Sequence, residues 1–209
     1  MQDKEKLVRR IIGSVMYLAQ VRRYHIFYSV NKPARAMSNP SEPHIGEAKH
    51  LRYLAISIDF NITCKKGGFK LTAFSEANWG NNPDNGKSTS SCVTIVRNGT
   101  ANFKVGMQGL TAQSTMASEI VAATLAMKET VYCASMMGGL EFEETFKCVR
   151  IHIDNTSALH VPGNKTYSSF AKHVALKLYV REIIQEGKAR IHFNHRHRYL
   201  VELIHHYKT

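Results

Sequence analysis

The stretch "GFKLTAFSEANWG", Gly68 to Gly80, decides how the rest of this chain is read. Apolar and polar residues alternate from Phe69 to Ser75, the two-residue period of a half-buried strand. The strand then ends on Glu76 and Asn78, with the single tryptophan, Trp79, behind them. An acid and an amide at a strand end raise the question of what chemistry they serve. Trp79 is expected to pack beneath the strand end, because aromatic rings there mostly bury area.

Downstream, "NNPDNGKSTSS" is loop chemistry: Pro, Asn-Gly, then hydroxyl residues. "CVTIVRNGTANFKVGM" reads as strand, Asn98-Gly99 turn and strand, a hairpin. Ser114 or Thr115 is placed to cap a long helix over "MASEIVAATLAMKETVYCASMM", which stops at Gly138-Gly139. "CVRIHIDN" is a strand, and "SSFAKHVALKLYVREIIQEGK" a helix with Leu176, Val180, Ile183 and Ile184 on one face. "ARIHFNH" is a further strand and "YLVELIHHY" a closing helix. The order from residue 68 is therefore β-β-β-α-β-α-β-α, which implies a mixed sheet with helices on both faces. Upstream, Leu7, Ile11, Val15, Leu18 and Ala19 recur at helical spacing. "HIGEAKHLRYLAIS" is a second helical stretch, and the boundary between the two halves is expected near residues 60–68.

Lys and Arg number 28 against 16 Asp and Glu, a formal net charge of +12. That balance points to a polyanion, either nucleic acid or an anionic membrane surface. Cys64, Cys92, Cys133 and Cys148 form no C-x-x-C pair, which argues against a zinc site and for reduced cysteines in the cytoplasm or nucleus. The N-terminus has no signal-peptide apolar region, and no apolar run reaches membrane-spanning length, so no membrane role is expected. "NGKST" is not a phosphate-binding P-loop, because Gly80 lies one residue too far from Gly86.

Four acids fall on four different elements: Glu76 at a strand end, Glu119 in the first turns of the long helix, Asp154 at the next strand end, and Glu202 in the closing helix. Convergence of such a set at one sheet edge is what two-metal phosphodiester hydrolysis requires. Magnesium wants hard oxygen ligands, and two ions about 4 Å apart can serve the attacking and leaving oxygens.

These residues resemble the ribonuclease H domain of copia-type LTR retrotransposon polyproteins. The family's S-D-A-D-W is similar to Ser75-Glu76-Ala77-Asn78-Trp79, and its D-x-K-S-T-S-G to the stretch from Asp84 to Ser91. S-T-A-E-A-E-Y-I-A resembles Ser114 to Ala122, C-D-N-x-S-A resembles Ile153 to Ala158, and T-K-H-I resembles Ala171 to Val174. Q-L-A-D-I-L-T-K falls on Tyr199 to His206. The stretch from Ile11 to Leu54 looks like the segment that closes the reverse transcriptase region, although no Y-x-D-D motif is present. The resemblance implies residues 1–66 as a helical extension and residues 67–209 as an α/β ribonuclease H-like domain with a five-stranded mixed sheet flanked by helices. It implies Glu76, Glu119, Asp154 and Glu202 as catalytic ligands of two Mg²⁺ or Mn²⁺ ions. It also implies an endonuclease acting on the RNA strand of RNA/DNA hybrids.

The departures are specific. Glu76 and Glu202 stand where the family has aspartate, Ala117 replaces another helix glutamate, and His205-His206 replaces the final T-K. An added methylene moves a carboxylate by about 1.5 Å, and magnesium tolerates such error poorly, so weakened cleavage is expected. The segment from Lys165 to Arg198 is strongly basic. Lys172, His173, Lys177 and Arg181 can form a stripe on one helix face, and His195, Arg196, His197 and Arg198 lie in "FNHRHRY". Together with Lys87, Ser88 and Asn155, which lie within the matched motifs, they form the expected nucleic-acid contacts, whether to a hybrid or to double-stranded RNA. A solvated basic face and an exposed basic loop are the plainer readings of the stripe and of "FNHRHRY". The competing function is a repurposed module that binds nucleic acid, or a protein partner, with little or no catalysis.

Overall fold

The computed structural model describes residues 2–34, 37, 49–59, 64, 66, 70–82, 85–140, 148–154 and 171–193. It divides into two compact units, one containing Met1–Ile62 and the other Thr63–Arg198.

The first unit is helical: α1 (Gln2–Val21), a tight 3-10 turn (Tyr24–Ile26), α2 (Phe27–Ala34) and α3 (Lys49–Ile56). Helix α1 buries Val8, Ile12, Val15 and Ala19, which recur three or four residues apart, and α2 contributes Phe27 and Val30. Val15 and Ala19 are buried as expected, whereas Val8 and Ile12 take the places expected for Leu7 and Ile11, and Leu7 is 53% exposed. Helix α1 carries apolar residues on two adjoining faces, and spacing alone does not say which one packs. Arg23 joins the end of α1 to the end of α3, donating to Ser57 Oγ at 3.4 Å and to the Ile58 carbonyl at 3.2 Å.

The second unit holds a five-stranded sheet in the order β3-β2-β1-β4-β5. Its strands are β1 (Leu71–Asn78), β2 (Thr89–Val96), β3 (Gly99–Met107), β4 (Val149–Ile153) and β5 (Ala189–Phe193). β1, β2 and β3 pair antiparallel, whereas β4 pairs parallel with both β1 and β5. Helix α4 (Thr115–Gly138) connects β3 to β4, and α5 (Ala171–Gln185) precedes β5. A parallel neighbour demands such a crossover, because a tight turn cannot reverse the chain twice. Ser114 caps α4, its hydroxyl accepting the Ala117 N–H at 3.1 Å.

The β2–β3 turn differs from the expected one. Its two central residues are Arg97 and Asn98, at φ 51° and 61°, and Gly99 opens β3. Positive φ at both central positions is the twist that a two-residue hairpin needs. Glycine, the usual supplier of that twist, lies one residue too late.

The core lies on one sheet face. Leu71 and Ala73 of β1 and Val149, Ile151 and Ile153 of β4 meet Ile120, Ala123, Ala126 and Met127 of α4, with Val180 and Ile183 of α5. Among the described residues, then, both helices of this unit pack into the same core. The expectation of helices on both faces is not met among the described residues, and the stretch from Tyr199 read as a closing helix lies outside them. Alanines at 122, 123 and 126 are fully or nearly fully buried and let α4 approach the strands closely. Farther along α4, Glu129 accepts from Lys104 Nζ at 2.6 Å and from Asn102 Nδ2 at 3.1 Å, which ties the helix to β3.

Two outcomes test this account. Replacing Arg97→Asn relieves a left-handed arginine, a conformation that costs about 1–2 kcal/mol, so the urea midpoint should rise. Glu129 adds a pH term. Burial pushes its carboxyl up, but the hydrogen bonds from Lys104 and Asn102 outweigh this and hold it below the ordinary value. A depressed folded-state carboxyl contributes stability above its unfolded value, about 4.3, and loses it as pH falls through the folded one. The Glu129→Gln variant should therefore lose less stability than the native chain over that acid window, measured by urea unfolding at stepped pH.

Candidate active site

Strand β1 is central, with an antiparallel neighbour on one side and a parallel one on the other. Ligands of open α/β sheets gather at the C-terminal ends of strands where the topology switches in this way. Leu71, Ala73 and Ser75 are buried on the helix side, so by alternation Thr72, Phe74 and Glu76 face the other side. The β1–β4 register pairs Phe74 with His152, and their rings stack with centroids 4.7 Å apart. Glu76 and Asp154 each lie two residues beyond that pair, the last of the ladder, toward the same end of the two parallel strands. Burial, then the neighbouring His192 and Arg150, lowers the pKa of His152.

Glu119 reaches this strand end from the helix-covered face. It lies in the second turn of α4, only 4% exposed, with Oε1 3.4 Å from the Ala77 backbone N. A carboxylate buried to that degree is costly unless it is hydrogen-bonded or near a cation. Three of the four expected carboxylates thus sit at one end of β1 and β4. They arrive from two sides of the sheet, and among the described residues no group of three His, Cys, Asp or Glu is close enough to hold a metal ion. Glu202, Asn155, His195, Arg196, His197 and Arg198 lie outside the described residues.

The loop after β1 is tightly braced. Gly80, at φ 59°, donates its N–H to Ser88 Oγ at 3.1 Å. Thr89 Oγ1 donates to Asn81 Oδ1 at 2.9 Å, and the Lys87 N–H donates to Asn85 Oδ1 at 3.0 Å. Ser88, expected as a nucleic-acid contact, is fully buried (0%), and its hydroxyl braces this loop. Lys87 is half-buried on the same loop. Trp79 also departs from expectation. It is 49% exposed and is held by its indole N–H, which donates to the Ala112 carbonyl at 2.9 Å.

Lys172, His173, Lys177 and Arg181 all fall within α5, where the four-residue spacing of His173, Lys177 and Arg181 places them along one face. The side chains of 171–177 are outside the described residues; Arg181 is half-buried. The four cysteines are free. Cys92 is buried, and burial first, with Glu129 nearby, pushes its thiol up to about 12. Cys64 and Cys148 are exposed and so are not the core residues expected.

Gln108, buried beside β2 and the start of α4, escaped the sequence reading. Nothing in "VGMQGLTAQ" separates it from a loop glutamine. Its burial is produced only when β3 closes against β2.

A mixed sheet in this order, with flanking helices and acids at the β1 and β4 ends, defines a ribonuclease H-like fold. The homologues of the chain are retrovirus-related Pol polyproteins of copia-type transposons, and the similarity runs over most of its length. The Pol polyprotein from transposon RE1 of Arabidopsis thaliana is 30% identical over 186 residues, which is 88% of this chain. That of transposon TNT 1-94 from Nicotiana tabacum is 25% identical over 86% of the chain. The chain spans 13% and 14% of the lengths of these two relatives. No protein-family model matches. Among solved structures, the ribonuclease H1 LC11 isolated from compost aligns with a TM-score of 0.46 and 14% identity, over 65% of this chain and 89% of that one.

Ser88→Ala should leave the Gly80 N–H without its acceptor and lower stability by about 1–2 kcal/mol. Urea unfolding of the two proteins measures that loss.

Proposed function

We propose that the chain is a metal-dependent endonuclease acting on the RNA strand of RNA/DNA hybrids, with Glu76, Glu119, Asp154 and Glu202 as its acidic set. The observation that supports this most is the parallel pairing of β1 with β4, beyond whose last pair, Phe74 with His152, Glu76 and Asp154 each follow by two residues, while Glu119 Oε1 lies 3.4 Å from the Ala77 backbone N at the end of β1. The homology to Pol polyproteins favours the same reading.

The donor chemistry fits the group that the fold family uses. All four residues offer carboxylate oxygens, the hard ligands that Mg²⁺ and Mn²⁺ prefer over nitrogen or sulfur. Bound there, two such ions would supply charge neutralisation and an activated water. The chain's own contribution is placement. Glu76 and Asp154 extend from strand ends held by backbone pairing, and Glu119 from a capped helix packed on the same strand. The net charge of +12, and the basic run through α5, draw in phosphates without demanding exact geometry. Hybrid recognition would use backbone and 2′-hydroxyl contacts, with little sequence preference.

Glutamate at 76 and 202 sets the expected level of activity. Cleavage should be weak, stronger with Mn²⁺ than with Mg²⁺, while hybrid binding stays firm. Single-turnover assays on a labelled hybrid test this, with Asp154→Asn as the inactive control. Restoring Glu76→Asp and Glu202→Asp together should raise the rate by about 10-fold or more, given that small misplacements can cost about 100-fold. Separately they should do less, since ligands of one site act as a unit. Undetectable cleavage by both the native chain and the double variant, with hybrid binding intact, would establish the binding-module reading instead.

A further inference from the structure

Gln108 follows β3 and is 4% exposed. Its backbone N–H donates to the Ser88 carbonyl at 2.8 Å, which anchors the residue to the braced loop. Its side-chain Nε2 donates twice, to Ser90 Oγ at 2.8 Å and to the Ser118 carbonyl at 3.0 Å. Ser118 immediately precedes Glu119. Ser90 pairs across the β1–β2 ladder with Ala77, whose N lies 3.4 Å from Glu119 Oε1. One amide therefore holds both ends of the path that Glu119 spans: the helix backbone where its side chain begins, and the strand pair where its carboxylate arrives.

We propose that Gln108 is the positioning residue for Glu119. Its consequence for catalysis rests on the acidic-site reading above; its effect on the Glu119 carboxylate does not. The cost of Gln108 supports a role other than packing. Gln108 Oε1 is buried with no hydrogen-bond partner among the described residues, and a buried acceptor in that state is costly. An apolar side chain of similar length would remove this cost but take the donor away from the buried Ser90 hydroxyl. What glutamine adds is the double donation by Nε2, and both of its acceptors are on elements that flank Glu119. Groups that orient a metal-binding side chain typically change metal affinity by about 10–100-fold when removed.

The test compares Gln108→Met and Ser90→Ala, each in the native and the Glu119→Gln background. In isotopically labelled protein without metal, Gln108→Met should move the Ala77 amide resonance in the direction that Glu119→Gln moves it, and most of that shift should vanish once Glu119 is already Gln. Thermal stability should fall modestly, because the buried Ser90 hydroxyl loses its donor, so the Ala77 shift and not stability is the deciding readout. Titration with Mn²⁺, followed through the signal of the free ion, should show affinity lowered about 10-fold. Ser90→Ala should act in the same direction more weakly, and it decides the matter if Gln108→Met does not fold. An Ala77 shift that is absent, or equal in both backgrounds, overturns the proposal. A native chain that takes up no Mn²⁺ overturns the metal reading of the site, while the coupled Ala77 shift still decides for Gln108.

Discussion

The parallel pairing of β1 with β4 is the constraint on which the rest of the second unit depends. It spans few residues, Thr72 to Phe74 against Arg150 to His152. It nevertheless joins the hairpin half of the sheet to the crossover half, and it forces the chain between β3 and β4 to travel the length of the sheet. Helix α4 is that path. Once α4 lies across β1, Leu71, Ala73, Ile151 and Ile153 have an apolar surface to bury against, and α5 adds Val180 and Ile183 to the same core. Glu76 and Asp154 each follow the last pair of that ladder by two residues.

Helix α4 has two ends with different chemistry. Its middle packs Ala123, Ala126 and Met127 against the strands, and its second half is pinned by Glu129 to Asn102 and Lys104. The first turns instead bury Ser118 and Glu119, with Gln108 and Ser90 supplying polar contacts. A small-residue helix can lie close to a sheet, but close approach also excludes water from any polar group caught beneath it. Each buried polar atom then needs a protein partner. The Ser90, Gln108 and Ser118 contacts are such partners, and they cluster where Glu119 meets Ala77.

Charge and geometry make separate demands on the proposed function. Attraction of a polyanion depends on net charge and falls off gently with distance and salt. Metal-assisted hydrolysis depends on oxygen positions to a fraction of an ångström. Under the proposed function, glutamate at 76 and 202 bears on the second demand and the net charge of +12 on the first.

Local rules account for what was legible in the sequence. The two-residue alternation before Glu76, the Ser114 cap and the glycines that close α4 depend on neighbours in the chain, so the five strands and two long helices of the second unit could be read directly. The motif order likewise marked Glu76, Glu119 and Asp154. Other features required distant segments to meet. Which face of α1 packs, the exposure of Trp79 and the burial of Ser88 and Gln108 are products of closure. The shift of the β2–β3 turn onto Arg97-Asn98 follows from strand register, which outweighs the local preference for glycine. The β1–β4 pairing is the clearest case. No short-range pattern in residues 71–78 or 149–153 says that they lie side by side; only the sheet, by burying both strands against α4, selects the pairing of Thr72–Phe74 with Arg150–His152.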